Sequence, residues 1–154
     1  SDVYKRQMIT SIWLVLGFFI CISPFIWRSI FAKFGNGIPL SMILISISIG
    51  SVTPLLSSSF FILLFSAVIF GSSVFMAPGA ITNFTRRNLP QEMWAYSISV
   101  FTVIFAISQT LGPYIAGLIG DYFDDIGMGL FASFIILILG ALISFSQKEL
   151  TKHN

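Results

Sequence analysis

Long apolar runs dominate this chain and are separated by short polar or charged connections. Five runs are each long enough to cross the roughly 30 Å hydrocarbon core of a bilayer, which takes about 20 helical residues. The predicted spans are 8–27, 38–56, 60–82, 93–120 and 126–146. This pattern predicts an all-α fold, a polytopic bundle of five transmembrane helices. Because an odd number of spans begins almost at residue 1, we expect further spans upstream.

The composition agrees with a membrane protein. Apolar residues make up 56% of the chain and charged residues 9%, whereas a soluble domain carries about 25% charged residues. So few charges could not cover a water-exposed surface, which all but excludes a soluble enzyme. Cys21 is the only cysteine and His153 the only histidine, so no disulfide, no Cys-based metal site and no His-based catalytic pair is expected. We expect no catalytic residue, no cofactor and no nucleic-acid partner.

No charged residue lies inside a predicted span. Proton relays, ion-pair coupling and intramembrane catalysis usually need Asp, Glu, Lys, Arg or His within the membrane. We therefore expect none of these within this segment alone. Walker and Rossmann motifs are also missing from the sequence, so a nucleotide-driven pump would need its motor on another chain.

The first seven residues differ from the rest of the chain. Residues 2–7, DVYKRQ, resemble the translation of a transposase mosaic-end adaptor used in sequencing libraries. We interpret residues 1–7 as an adaptor-derived or non-native leader; the alternative is a natural basic segment beside the membrane. The helical bundle then comprises residues 8–147, and residues 148–154 form a cytoplasmic tail.

The remaining basic residues predict the topology. Six of them occupy alternate connections or the tail: Arg28, Lys33, Arg86, Arg87, Lys148 and Lys152. The other connections hold no basic residue, and the one at 121–125 carries three aspartates. The positive-inside rule places the basic connections and the C-terminus in the cytoplasm. Because the connections are short, neighbouring helices are expected to pack antiparallel.

Two spans carry small or polar side chains along one face. In the fourth span they recur every three or four residues: Ser99, Thr102, Ala106, Gln109, Pro113, Gly117 and Gly120. Such a face is either a helix-packing seam or the lining of an aqueous cavity. The third span has a similar stripe, made of Ser72, Met76, Gly79 and Asn83. There the pair Pro78 and Gly79 is expected to interrupt the backbone hydrogen bonding.

The end of the fourth span resembles a known family. Residues 109–121, QTLGPYIAGLIGD, are similar to the eleventh helix of major facilitator superfamily transporters, which often carries a Gly-Pro-x-x-Ala/Gly-Gly element near its outer end. Residues 70–121 resemble the YbfB/YjiJ-type branch, and the resemblance extends over residues 8–147. The five spans then match helices 8 to 12. The candidate residues for helix packing or kinking are Pro78, Gly79, Gly112, Pro113 and Gly117.

The cytoplasmic loop motif of that family, Gly-x-x-x-Asp-Arg-x-Gly-Arg-Arg, aligns with residues 28–37. Lys33 and Gly35 fit its Arg and its second Gly. Arg28, Ala32 and Asn36 depart from the motif. In the family this motif tethers helix ends through charge pairs, so the missing Asp weakens the expectation of such a role for this loop.

The resemblance implies one part of a secondary active transporter that moves a small organic solute by alternating access and uses an ion gradient. Such carriers have twelve helices in two halves, with the substrate at the midplane between them. This chain would lack the N-terminal half and helix 7. Helices 9 and 12 would face lipid, and helices 8, 10 and 11 would contribute to the cavity. Its candidate lining residues are Ser72, Met76, Asn83, Thr102 and Gln109.

The expected partners are membrane lipid, an unknown small-molecule substrate and the missing N-terminal half of the same protein. The expected location is a bacterial inner membrane, with multiple passes and a cytoplasmic C-terminus. The alternative function is a non-transport membrane scaffold or assembly subunit, which would be stable as five helices.

Overall fold

The computed structural model describes residues 2–35 and 37–147, and this part of the chain is almost entirely helical. Its α-helices are α1 (Asp2–Lys33), α2 (Ile38–Leu56), α3 (Phe60–Gly71), α4 (Met76–Asn88), α5 (Trp94–Phe123) and α6 (Ile126–Phe145). A 3-10 turn, Gln91–Met93, precedes α5. With α3 and α4 counted as one broken span, five helical segments are long and apolar enough to cross a membrane. The predicted all-α bundle of five spans is confirmed.

The helix bounds follow the hydropathy pattern most closely at α2, which has the predicted bounds. α1 instead runs from Asp2 to Lys33, so it continues through the predicted leader and beyond residue 27. The adaptor origin of the leader stays a prediction, because a helical backbone does not report where a sequence came from. Asn36 and the predicted tail, with Lys148, Lys152 and His153, lie outside the described residues.

The third span is interrupted at residues 72–75, one turn before the pair Pro78 and Gly79. Pro78 has no backbone N–H, so it cannot donate to the carbonyl of Val74 four residues earlier. As the third residue of α4, Pro78 lies where backbone N–H groups have no intrahelical acceptor in any case. Because the helix ends at Gly71 and begins again at Met76, the missing N–H of Pro78 costs no intrahelical hydrogen bond.

A tryptophan from α1 satisfies the backbone at this break. The Met76 N–H donates to the Ser73 carbonyl, at 3.0 Å, and not to the Ser72 carbonyl as a continuous α-helix would require. The Trp27 indole N–H donates to the Ser72 carbonyl instead, at 2.6 Å. Trp27 is only 5% exposed, so this bond joins α1 to the break inside the protein.

The helices do not pack in the order of the chain. α1 packs against α3, α3 also against α2, α2 against α6 in the most extensive interface, and α6 against α5. The expected pairing of chain neighbours therefore holds for α2 with α3 and for α5 with α6, while α1 packs mainly on α3. The half-span α4 contacts α5, α2 and α1.

Serine hydroxyls and glycines bring the central helices close together. Ser66 donates its hydroxyl to the Gly50 carbonyl at 2.6 Å, and Ser41 donates to the Ala141 carbonyl at 2.8 Å. A Cβ atom at Gly50 would lie 2.9 Å from the Cβ and 3.0 Å from the backbone nitrogen of Phe70. Small residues of this kind let helices approach in lipid, where burial of apolar surface gives no drive for association.

α5 is the least covered helix. Every residue from 99 to 115 is exposed. Its contacts with α6 lie near its C-terminal end, where a Cβ atom at Gly129 would lie 2.7 Å from the Ala116 carbonyl oxygen. The turn to α6 is tight: Asp124 has a left-handed backbone with φ 52°, and the Asp125 carboxylate accepts from the Gly127 N–H at 2.9 Å.

We predict that Gly50→Ala weakens the bundle, because its Cβ would meet the backbone of α3. Overpacking of this kind costs about 1–3 kcal/mol. The matched control is Gly17→Ala, whose Cβ would have nothing within 4 Å. Reversible unfolding by SDS in mixed micelles, followed by circular dichroism, gives both free energies. Equal effects of the two substitutions would contradict the close α2–α3 contact.

We also predict that Trp27→Phe destabilises the bundle, since it keeps an aromatic ring but leaves the Ser72 carbonyl without its donor. An unsatisfied buried group costs about 1–3 kcal/mol. The control is Trp13→Phe, because Trp13 is 67% exposed and its loss should change little. The same unfolding assay applies, and a neutral Trp27→Phe variant would argue against a structural role for the bond.

Candidate functional site

A small cavity of about 170 Å³ lies between the second half of the broken span and α5. Its lining residues are Pro78, Ile81 and Thr82 from α4 and Ile98, Phe101, Thr102 and Phe105 from α5. α4 contacts α5 after the break, and the cavity lies open along this contact. The cavity therefore lies on the inner side of the polar stripe of α5.

The cavity has few polar groups and no charged side chain in its lining. Two threonine side chains, Thr82 and Thr102, contribute its polar groups, and the other lining residues are apolar. The Thr102 hydroxyl donates to the Ile98 carbonyl of its own helix, at 2.8 Å, which leaves its oxygen lone pairs as acceptors. Among the described residues, no group of three or more His, Cys, Asp or Glu side chains is placed to hold a metal ion.

A larger crevice of about 330 Å³ adjoins this cavity at the end of α4. The two spaces share Ile81 and Phe101. Asn83 and Arg87 line the crevice from α4, and Gln147 lines it beyond the end of α6. The predicted lining residues Asn83 and Thr102 thus occupy adjacent spaces and do not share one.

The other three candidate lining residues lie elsewhere. Met76 is 7% exposed and packs in the core with Trp27 and Ile43. Ser72 lies at the break, where its hydroxyl donates to the Val68 carbonyl at 2.8 Å. Gln109 is exposed on the same stripe of α5 as Thr102. The five residues therefore do not assemble into one site in this structure.

The candidate packing residues divide between two helices. On α4, a Cβ atom at Gly79 would lie 3.6 Å from the Met76 Cε atom of the same helix and 3.9 Å from the Phe31 ring, which are ordinary van der Waals contacts. On α5, a Cβ atom at Gly112 or Gly117 would have nothing within 4 Å, and Pro113 lies inside an unbroken helix. The stripe of α5 is therefore not a packing seam within the described part of this chain, except at Gly120, which is buried.

The connection that carries Lys33 and Gly35 is held by hydrogen bonds. The Arg87 guanidinium donates to the Phe34 carbonyl at 3.2 Å, and the Gly37 N–H donates to the Gln147 carbonyl at 3.1 Å. Lys33 ends α1, and its ammonium lies 5.7 Å from the centroid of the Phe34 ring. The end of α4 is thereby joined to the connection through a backbone carbonyl.

Sequence reasoning missed Thr82 and Phe101 as lining residues. Thr82 lies four residues after Pro78, and this spacing places both on one helix face. That signal was present in the sequence, but it could not show that α5 faces the same side. Phe101 gives no such signal, because aromatic residues are frequent throughout the spans.

Comparison with known proteins gives a match to a protein family. The family described as "Uncharacterised MFS-type transporter YbfB" matches residues 5–145, which is nearly the whole chain. No curated protein matches, and no solved structure matches. The match agrees with the five membrane-length helical segments and with the predicted resemblance. This chain is an integral membrane protein that belongs to the YbfB-type family of major facilitator superfamily transporters.

Proposed function

We propose that this chain provides helices 8 to 12 of a twelve-helix secondary transporter that moves a small organic solute by alternating access. The observation that carries the proposal is the uncovered polar stripe of α5. Thr102 and Gln109 lie on this stripe, and every residue from 99 to 115 is exposed. A second helical half placed against α5 would enclose this face.

The energetics of the stripe support a covered or hydrated face. A glutamine amide in hydrocarbon loses its hydrogen bonds to water, and an uncompensated amide costs roughly 2–7 kcal/mol. Gln109 would avoid most of this cost beside a polar partner or in a water-filled path. Polar residues in transmembrane helices usually face such interiors, which favours a transport path along α5.

The size of the cavity supports a site that two halves share. Pockets for small molecules usually measure roughly 300–1,000 Å³, whereas the cavity between α4 and α5 measures about 170 Å³. A cavity of this size would be the part of a larger site that this half contributes. Its mixture of hydroxyl and apolar groups suits an uncharged or weakly polar organic solute.

The coupling site belongs to the other half in this proposal. The described membrane-spanning parts of α3, α4 and α5 carry no acidic side chain in the apolar region between residues 60 and 120. Coupling to protons or cations usually uses intramembrane carboxylates or histidine. The N-terminal half would therefore supply the coupling groups as well as the opposite wall.

The distribution of charge supports a cytoplasmic C-terminus. Arg86 and Arg87 end α4, close to the connection at the end of α1. Asp121, Asp124 and Asp125 lie at the opposite end of α5. By the positive-inside rule the basic end faces the cytoplasm, and we place the protein in the inner membrane of a bacterium.

We predict seven further transmembrane spans, in frame, upstream of these five in the source gene. In liposomes, the five-helix chain alone should show no gradient-driven solute uptake, because it provides one wall of the cavity. Sequencing of the upstream region tests the first expectation. Uptake by the five-helix chain alone, or a stable five-span gene product with its own start codon, would contradict the proposal and favour a scaffold.

We further predict that the stripe of α5 is accessible to water in the full-length carrier. On a Cys21→Ser background, Thr102→Cys and Gln109→Cys should react with a membrane-impermeant thiosulfonate. The control is Ile104→Cys, on the opposite face of the helix. The reactive form of a cysteine is the thiolate, which needs water. The control Ile104→Cys should therefore react roughly tenfold or more slowly than the two stripe variants. Equal rates on both faces would contradict an aqueous path.

A further inference from the structure

The crevice at the basic end of the bundle has features of a lipid site. We propose that it binds an anionic phospholipid, with the phosphate of the headgroup at Arg87, which lines the crevice, near the exposed Arg86, and with an acyl chain in the crevice. This inference does not depend on the transport proposal. It requires only that the bundle lies in a membrane with its basic end at the surface.

The crevice exists because α5 and α6 are in close contact at one end only. Near the far end their backbones meet at Ala116 and Gly129. At the basic end a space of about 330 Å³ is lined by residues of α2, α4, α5 and α6. A second space of about 370 Å³ continues from it along the start of α5. The two share Phe84, Phe101 and Gln147, so they are adjacent.

The lining of the crevice is mostly apolar, with a few polar groups near the ends of α4 and α6. The apolar lining residues of the first space include Leu40, Ile81, Phe84, Phe101 and Ile143. Its polar lining comes from Asn83, Arg87, Ser144 and Gln147. An acyl chain would cover the apolar walls at about 0.8 kcal/mol for each buried CH₂ group. A headgroup at the mouth would then meet hydrogen-bond donors.

The charge around the mouth favours an anion. Arg28, Lys33, Arg86 and Arg87 are all exposed at this end, and Glu92 is the one acidic residue among the described residues nearby. Arginine binds phosphate with two parallel hydrogen bonds. Basic pockets between transmembrane helices are a recognised way to bind anionic headgroups.

Local contacts position both arginines. The Arg86 guanidinium lies 5.6 Å from the centroid of the Trp94 ring, and the Trp94 indole N–H donates to the Leu89 carbonyl at 2.9 Å. The Arg87 guanidinium donates to the Phe34 carbonyl. Because these contacts already restrict each side chain, less conformational entropy is lost when it binds a headgroup. Trp94 and Tyr96 are also residue types that favour the membrane interface.

Inorganic phosphate would use only part of this surface. It could meet the guanidinium groups, but it would leave the apolar walls exposed. A phospholipid uses both parts of the crevice, and this complementarity is the reason to assign the site to a lipid. The acyl chain and the phosphate should therefore both contribute to affinity.

The test titrates the purified full chain in detergent micelles with phosphatidylglycerol or phosphatidylcholine of the same acyl chains. Native mass spectrometry counts the bound lipid. We expect phosphatidylglycerol to bind more tightly than phosphatidylcholine. Each basic residue near a headgroup contributes about 1 kcal/mol, or about fivefold in affinity. The pair Arg86→Gln and Arg87→Gln should thus weaken phosphatidylglycerol binding by roughly 25-fold.

The matched control is the pair Lys5→Gln and Arg6→Gln, which removes the same charge near the opposite end of α1. It should change the affinity less than twofold. Arg86→Gln alone should give about a fivefold loss and leaves the Arg87 bond to the Phe34 carbonyl in place, so it tests the site if the double variant fails to fold. Glu92→Gln should strengthen binding.

Three outcomes would overturn the proposal. The first is equal binding of the two lipids by the unchanged chain. The second is an equal loss of affinity in the control pair, which would indicate a general charge effect. The third is displacement of the lipid by inorganic phosphate at similar concentration, which would identify a phosphate site without a role for the acyl chain.

Discussion

The hydrogen bond from Trp27 to the Ser72 carbonyl is the contact on which the arrangement of the helices depends. In the hydrocarbon core, backbone polar groups find no water, so a broken helix needs donors from its neighbours. The third span is broken just before Pro78, and the restart at Met76 leaves the Ser72 carbonyl without its usual donor. Trp27 supplies that donor at 2.6 Å. The bond fixes α1 to the break and leaves α4 free to turn towards α5.

The break divides the bundle into a closely packed part and an open part. α1, α3, α2 and α6 form the packed part, where serine hydroxyls and glycines bring backbones together. α5 joins it through α6 near one end and through α4 near the other. Both the small cavity and the basic crevice lie where α4 and α5 approach without filling the space between them. The packed part and the open part thus meet at the half-span α4, which follows the break.

The sequence predicted those features that depend on hydropathy and missed those that depend on partners in space. The bounds of α2 were predictable because Gly35 and Gly37 come just before it and a run of serines follows it. The exact place of the break was not, since the sequence does not show which side chain satisfies the free carbonyl there; Trp27 of α1 does so. Met76 has the spacing of a lining residue, yet it packs in the core, because helical spacing gives a face but not what lies opposite.

The basic connection is held by hydrogen bonds to backbone carbonyls. Ala32 stands where the motif has an acid, so Lys33 has no carboxylate partner from that position. Arg87 instead donates to the Phe34 carbonyl, and the Gly37 N–H donates to the Gln147 carbonyl. Because the acceptor is a neutral carbonyl, this tether does not require an acidic residue to be ionised, and it should depend less on pH than the ion pair of the motif.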